Sequence, residues 1–244
     1  MRLKIVFKPE EEFVRFANKH AIQGFIYNML NDSPYGERHD EPHFKFFTFS
    51  DIFIDSHGRP TLLVSSPDEK FIEELYSNIH GREEVYIGKY ILHVIELRKF
   101  SLKLKRKFQT GSPIVLYKDS TKNEYFKIHE HRDMNFFIRR LKENALKKYR
   151  VFYGEEFDLE GPIFDRMVPK IRRNGKIDVY VKVVKYGTSF PIIGSKWELL
   201  EKEQIKPEDR KFYRFIMDAG LGEKNSLGFG FLNPISEKLL RKKD

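Results

Sequence analysis

The first 97 residues change their hydrophobic period in an order that admits few folds. "RLKIVFK" (2–8) alternates apolar and polar residues, as a half-buried strand does. Pro9 and three glutamates then open a helix, with acids at its positive end, that the pattern carries to about Asn31. "FKFFTFSDIFI" (44–54) and "PTLLVSS" (60–66) read as strands joined across "DSHGR". Ser66-Pro67-Asp68-Glu69 starts a second helix, Gly81 stops it, and "EEVYIGKYILHVIEL" (83–97) reads as one long last strand. The order β-α-β-β-α-β is that of the ferredoxin-like, or RRM-like, unit.

The remainder can be read the same way. "SPIVLY" (112–117) reads as a strand and "RDMNFFIRRLKENALKKYR" (132–150) as a helix. "FDRMVPKIRRN" and "KIDVYVKVVKYG" read as paired strands turning at Asn174-Gly175, a strong hairpin dipeptide. "FPIIGSKWELLE" is extended, a helix runs from Pro207-Glu208-Asp209 to about Gly220, and "FGFLNPI" closes the series. The expected fold class is therefore α+β, a tandem of ferredoxin-like βαββαβ modules. The boundary falls in the charge run "RKFSLKLKRK", giving residues 1–98 and 99–244.

Composition narrows the function. The chain has no cysteine, which removes disulfides, zinc ribbons and thiol nucleophiles. No stretch is long and apolar enough to span a membrane, and the N-terminus lacks the pattern of a signal peptide, so a cytoplasmic protein is expected. Abundant Lys and Glu with no Cys lean toward a heat-adapted source. The net charge of +9 is unevenly spread. Residues 1–97 hold 11 basic and 16 acidic side chains, whereas residues 98–244 hold 34 and 20. A basic half on an acidic half points to a polyanion, against the plainer reading of a lysine-rich solvated surface.

"GLGEKNSLGFGFL" (220–232) is the densest glycine run, with Gly220, Gly222, Gly228 and Gly230 around Glu223-Lys224-Asn225-Ser226. A left-handed helix cap and a strand bulge explain two or three of them. Neither phosphate-loop pattern fits, because each needs strand, loop, helix and the order here is helix, loop, strand. The remaining reading is a ridge of exposed backbone amides, with Lys224, Asn225 and Ser226 as further donors to a phosphate backbone.

This run resembles the C-terminal glycine-rich motif of the CRISPR-associated repeat-processing endoribonucleases, the Cas six family. "QGFIYNML" and "FKFFTFS" resemble that family's opening. Between them, roughly 100–200, only the order of elements agrees. The resemblance implies a protein that binds CRISPR repeat RNA and cuts the precursor once per repeat. The cut uses no metal or cofactor and leaves a 5′-hydroxyl and a 2′,3′-cyclic phosphate. A module of the same fold that binds without cutting is the alternative, and a scaffold subunit a more distant one. Other CRISPR-associated proteins and self-association stay open as partners.

Such chemistry needs a base for the 2′-hydroxyl, an acid for the leaving 5′-oxygen and a cation for the phosphate. By resemblance these are Tyr27, His39 and Lys45. His43 is the alternative histidine, favoured less by spacing. Helical periodicity sets Tyr27 with His20, Gln23 and Gly24, opposite Ile22, Phe25 and Met29, which turns it from its module's core toward a cleft. Each has a plainer reading: Tyr27 as an interface tyrosine, Lys45 as a solvated strand residue, His39 as an exposed loop residue. RNA contacts are expected from the glycine-rich run, from Lys103 and Lys105, and from Lys170, Arg172 and Arg173 at the hairpin. The charges of "RRLKENALKKYR" serve equally well as a solvated helix face. His39 with His43, and His129 with His131, lack the ligand count of a metal site, so none is expected.

Overall fold

The structure, a computed structural model, describes residues 1–9, 18–37, 44–185 and 187–235. The first domain runs β1 (Arg2–Pro9), α1 (Lys19–Met29), α2 (Pro34–Glu37), β2 (Thr48–Phe49), β3 (Phe53–Ile54), β4 (Pro60–Ser65), α3 (Glu69–Ile79), β5 (Glu84–Ile87) and β6 (Tyr90–Phe100). The second runs β7 (Lys107–Thr110), β8 (Tyr117–Asp119), β9 (Glu124–Tyr125), α4 (Ile128–His131), α5 (Met134–Tyr153), β10 (Arg166–Pro169), β11 (Asp178–Lys185), β12 (Thr188–Ser195), β13 (Trp197–Glu201), α6 (Arg210–Ala219) and β14 (Leu232–Pro234).

Both domains have the ferredoxin-like arrangement. The first sheet is ordered β2-β4-β1-β6-β5 and antiparallel throughout. Alternation in β1 sends Leu3, Ile5 and Phe7 into a core with Phe25, Ile26, Leu62, Ile72 and Leu75. Asp68 caps α3 by accepting from the Lys70 amide at 3.0 Å, and Phe71, Ile72, Leu75 and Ile79 form its buried stripe. The second sheet, β10-β13-β7-β14, repeats the order with β7 as its first strand. It is packed by α5 and α6 through Phe108, Leu141, Tyr149, Trp197, Phe212 and Phe215.

Four local expectations change. Asn174-Gly175 does turn the chain, with the Arg172 amide donating to the Lys176 carbonyl at 2.9 Å, but the flanking strands do not pair. β10 pairs with β13, while β11 forms an eight-residue ladder with β12, from Asp178↔Ser195 to Lys185↔Thr188. The dipeptide reports turn chemistry, and the longer ladder decides pairing. The single strand expected over 83–97 is a hairpin, because Gly88 takes a left-handed conformation (φ 63°) between β5 and β6. Residues 112–116 form no strand and make only two bridges, Ile114 to Ser195 and Val115 to Glu223, before Tyr117 begins β8. The first helix is described from Lys19, with Asn18 as its cap.

The domains are bolted together through the far face of the first sheet. Arg2, next to the core residue Leu3, is buried against the second domain. Its guanidinium donates to the carbonyls of Leu232 (2.6 Å) and Met217 (2.9 Å), to Asn233 Oδ1 (3.3 Å) and to Asp218 Oδ1 (3.4 Å). It also lies over the Phe231 ring. Burial pushes the pKa of Arg2 down and Asp218 opposes that shift. The Ser65 hydroxyl donates to the same carboxylate at 3.1 Å.

Candidate functional site

Residues 44–47 lie between the domains. Phe46 has a left-handed backbone (φ 45°), strained for an aromatic residue, and its ring packs on Phe152 and Phe215 of the second domain. Phe47 points into the first core, stacked on Phe71. Lys45, between Phe44 and Phe46, lines two adjoining cavities. One, of about 260 Å³, is walled by Tyr27, Tyr35, Phe44, Phe47, Phe71 and Val151, with Asp68 and Ser66 as polar groups. The other, of about 130 Å³, is lined by Lys148, Glu223, Lys224, Asn225, Ser226 and Gly222.

Tyr27 does not lie on a face turned from its core. It is 8% exposed, packs edge-on against Phe47 at 5.7 Å between centroids, and belongs to the first domain's apolar cluster. The helical wheel misplaces it because α1 is covered on more than one side: the glycine-rich loop approaches from the second domain and occupies Gln23, whose side chain donates to the Ser226 carbonyl at 3.1 Å. Tyr27 nonetheless lines the larger cavity beside Lys45. His39 and its alternative His43 lie outside the described residues.

The glycine-rich loop is not a ridge of exposed glycines. Gly220, Gly222, Gly228 and Gly230 are all buried with positive φ (82°, 70°, 76° and 68°). A Cβ on Gly230 would overlap the Leu221 carbonyl, and one on Gly228 would run into the Phe49 ring. The glycines let the loop fold back on itself and pack against the first domain, and only Glu223–Leu227 reach the surface. The Asn225 side chain is equally inward. Its NH₂ donates to the Leu221 and Phe229 carbonyls at 3.0 Å each, and its oxygen accepts from Lys148. The amides of Leu227, Gly228 and Phe229 turn back onto Lys224 and Asn225 carbonyls, whereas those of Lys224, Asn225 and Ser226 take no part in these turns. The Lys224 ammonium lies over the Tyr117 ring at 5.5 Å.

Two buried lysines fasten this loop, and sequence reasoning singled out neither. Lys19 of α1 donates to Asp51 at 2.6 Å and to the Gly228 carbonyl at 2.8 Å, with its ammonium over the Phe49 and Phe229 rings. Burial pushes its pKa down against the opposing pull of Asp51. Thr48 adds a hydrogen bond to the Phe229 carbonyl at 2.9 Å. Lys148 of α5 is 3% exposed and donates to the Gly220 carbonyl (2.8 Å), the Gly222 carbonyl (3.1 Å) and Asn225 Oδ1 (2.7 Å). The signal was present in α5: Phe137, Leu141, Ala145 and Lys148 are spaced by 4, 4 and 3, one continuous buried stripe.

The other basic candidates lie elsewhere. Lys103 and Lys105 are exposed on a segment whose Leu102 and Leu104 pack on the second core. Lys170 is exposed just after β10, and Arg172 and Arg173 are exposed at the 172–176 turn. None of the five lines either cavity beside Lys45. His131 is stacked on Phe126 and accepts from the Lys127 amide. Among the described residues, no group of three or more His, Asp or Glu side chains is gathered as for a metal ion.

Two ferredoxin-like domains closed over a glycine-rich loop, with a lysine and a tyrosine in the cleft between them, define a class of two-domain proteins. Residues 99–234 match the family model described as "CRISPR associated protein Cas6, C-terminal". The chain is 53% identical over 241 residues to "CRISPR-associated endoribonuclease Cas6 2" of Methanocaldococcus jannaschii, covering 96% of this chain and 100% of the relative. A solved structure described as "CRISPR associated protein Cas6" superposes with a TM-score of 0.68 at 21% identity, over 97% of this chain and 99% of the other. A Cas6 product complex superposes with a TM-score of 0.63 at 14% identity, over 96% and 99%. The chain belongs to the Cas6 family.

Proposed function

We propose that this protein is an endoribonuclease that binds CRISPR repeat RNA and cuts the precursor transcript within each repeat. It acts in the cytoplasm, where that transcript is made. The observation that carries the reading is the position of Lys45, with Tyr27 in the cavity on one side and the glycine-rich loop lining the cavity on the other. A chain lying on the loop would bring a phosphate to Lys45. The 53%-identical relative is named an endoribonuclease over its whole length.

In the reaction, the 2′-hydroxyl oxygen attacks the neighbouring phosphorus and gives its proton to a base. The bond from phosphorus to the 5′-oxygen breaks, and an acid protonates that oxygen. The products are a 2′,3′-cyclic phosphate and a 5′-hydroxyl. His39 serves as base or acid, its imidazole suited by an ordinary pKa of about 6.5, with Tyr27 as its partner. Lys45 stabilises the charge that grows on the non-bridging oxygens. Glu223–Leu227 present the loop's polar surface to the RNA, and the exposed Lys103, Lys105, Lys170, Arg172 and Arg173 add phosphate contacts.

The test uses end-labelled repeat RNA in EDTA with wild type, His39→Ala, His43→Ala and Lys45→Ala. Cleavage that survives EDTA and is lost in His39→Ala supports the reading. Loss in His43→Ala alone moves the proton-transfer role to His43. Tight binding with no cleavage by the wild type would replace the nuclease by a binding module.

A further inference from the structure

Lys148 is the least expected charge in the molecule. An ammonium has three hydrogens to donate, and all three are used: on the Gly220 carbonyl, the Gly222 carbonyl and Asn225 Oδ1. None goes to a carboxylate. Lys19, by contrast, shares its buried charge with Asp51. A buried cation satisfied only by neutral oxygens is a costly arrangement, and an apolar residue of similar size would fill the same stripe of α5.

What the charge does is set the loop. Gly220 and Gly222 begin the run, and Asn225 is its centre. With their oxygens drawn onto one ammonium, the Asn225 NH₂ is left to tie Leu221 to Phe229 across the loop. Lys19 and Gln23 then hold the far side at Gly228 and Ser226. The tip from Glu223 to Ser226 is thereby fixed beside Lys45.

We infer that Lys148 is a positioning residue for RNA binding: its hydrogen bonds hold the glycine-rich loop in the shape that meets the phosphate backbone, and replacing its side chain releases the loop. The inference rests on the nuclease reading above only in taking RNA as the ligand. With its donors already used, Lys148 makes no phosphate contact of its own. Among the described residues, the charged side chains lining the cavity with it are Lys45, Glu223 and Lys224. Burial pushes its pKa down to about 7, with Glu223 pulling the other way.

The experiment measures the affinity of repeat RNA carrying a 2′-deoxy nucleotide at the cleavage site, so that no cutting intervenes. Wild type, Lys148→Met and Lys148→Gln are compared at pH 6, with amide exchange of residues 220–230 followed in parallel. Lys148→Met is expected to keep the fold by circular dichroism, to bind about tenfold more weakly or worse at pH 6, and to exchange its loop amides faster. Unchanged affinity and loop protection in Lys148→Met would overturn the inference. If Lys148→Met does not fold, the same measurements on Lys148→Gln decide: weaker binding with faster exchange confined to 220–230 supports it, and wild-type affinity and protection refute it. A wild type that binds no repeat RNA, with the loop amides still exchanging faster in Lys148→Met, would count against the RNA reading and leave the positioning role standing.

Discussion

The α-carbon of Gly230 sits so close to the Leu221 carbonyl that no side chain fits between them. The contact closes the loop, with the Leu221 amide donating back to the Gly230 carbonyl at 3.0 Å. Gly230→Ala combines a left-handed φ with overlap against backbone, which cannot move aside as a flexible side chain would. The expected loss is about 3 kcal/mol or more. Thermal melting should show a fall of roughly 6–12 °C for a chain of this size. An unchanged melting temperature would contradict the packing described.

Arg2→Ala leaves Asp218 without its guanidinium and two buried carbonyls without a donor. A destabilisation of about 3 kcal/mol is expected, as for breaking a buried ion pair. Amide exchange should rise on both sides of the domain interface, at β1 and β14, rather than in the cores alone. Urea unfolding with exchange read by mass spectrometry checks both.

Lys45→Ala should lower kcat by roughly 10²-fold, the scale for removing one stabiliser of transition-state charge. Repeat RNA affinity should change much less. Tyr27→Phe keeps the edge contact with Phe47 and removes only the hydroxyl. A drop in kcat with a melting temperature near wild type would separate a chemical role from a packing one. Single-turnover cleavage beside thermal melting makes the distinction.

Lys148 also predicts a pH signature in stability. Its pKa of about 7 in the fold lies below its ordinary value of 10.5. Between those values the unfolded chain binds the extra proton, so this group's contribution rises with pH across the window and is least favourable below pH 7. The unfolding free energy of wild type minus that of Lys148→Met should therefore climb from pH 7 toward pH 10. A flat or falling difference would show that the lysine is not buried as a strained cation.

The paired βαββαβ architecture is legible in the period and order of elements, because alternation in β1 and the stripe in α3 report directly which face is buried. Helix α6 and the glycine run that follows it were legible for the same local reasons. Pairing was not: Asn174-Gly175 marks a turn, but whether β11 joins β10 or β12 depends on ladder length and on the partner that β13 supplies. Arg2, Lys19 and Lys148 were hidden by their charge. Arg2 and Lys19 lie on faces that read as surface until the opposite domain is in place, Lys148 sits on the buried stripe of its own helix beneath its own domain's loop, and Tyr27 packs into its own core against Phe47. The glycine run stands out in the sequence, and the structure adds that positive φ and close approach at these glycines serve the loop's own folding.

Lys19, Gln23 and Thr48 reach the 220–230 segment from one half of the chain, and Lys148 reaches it from the other. Its shape is thus joint property. A chimaera that takes its front half from one relative and its back half from another would inherit two sound domains and a misfitting seam. Divergence among these proteins should accordingly show the two halves changing in step along that line, with freedom kept for the parts that face away from it.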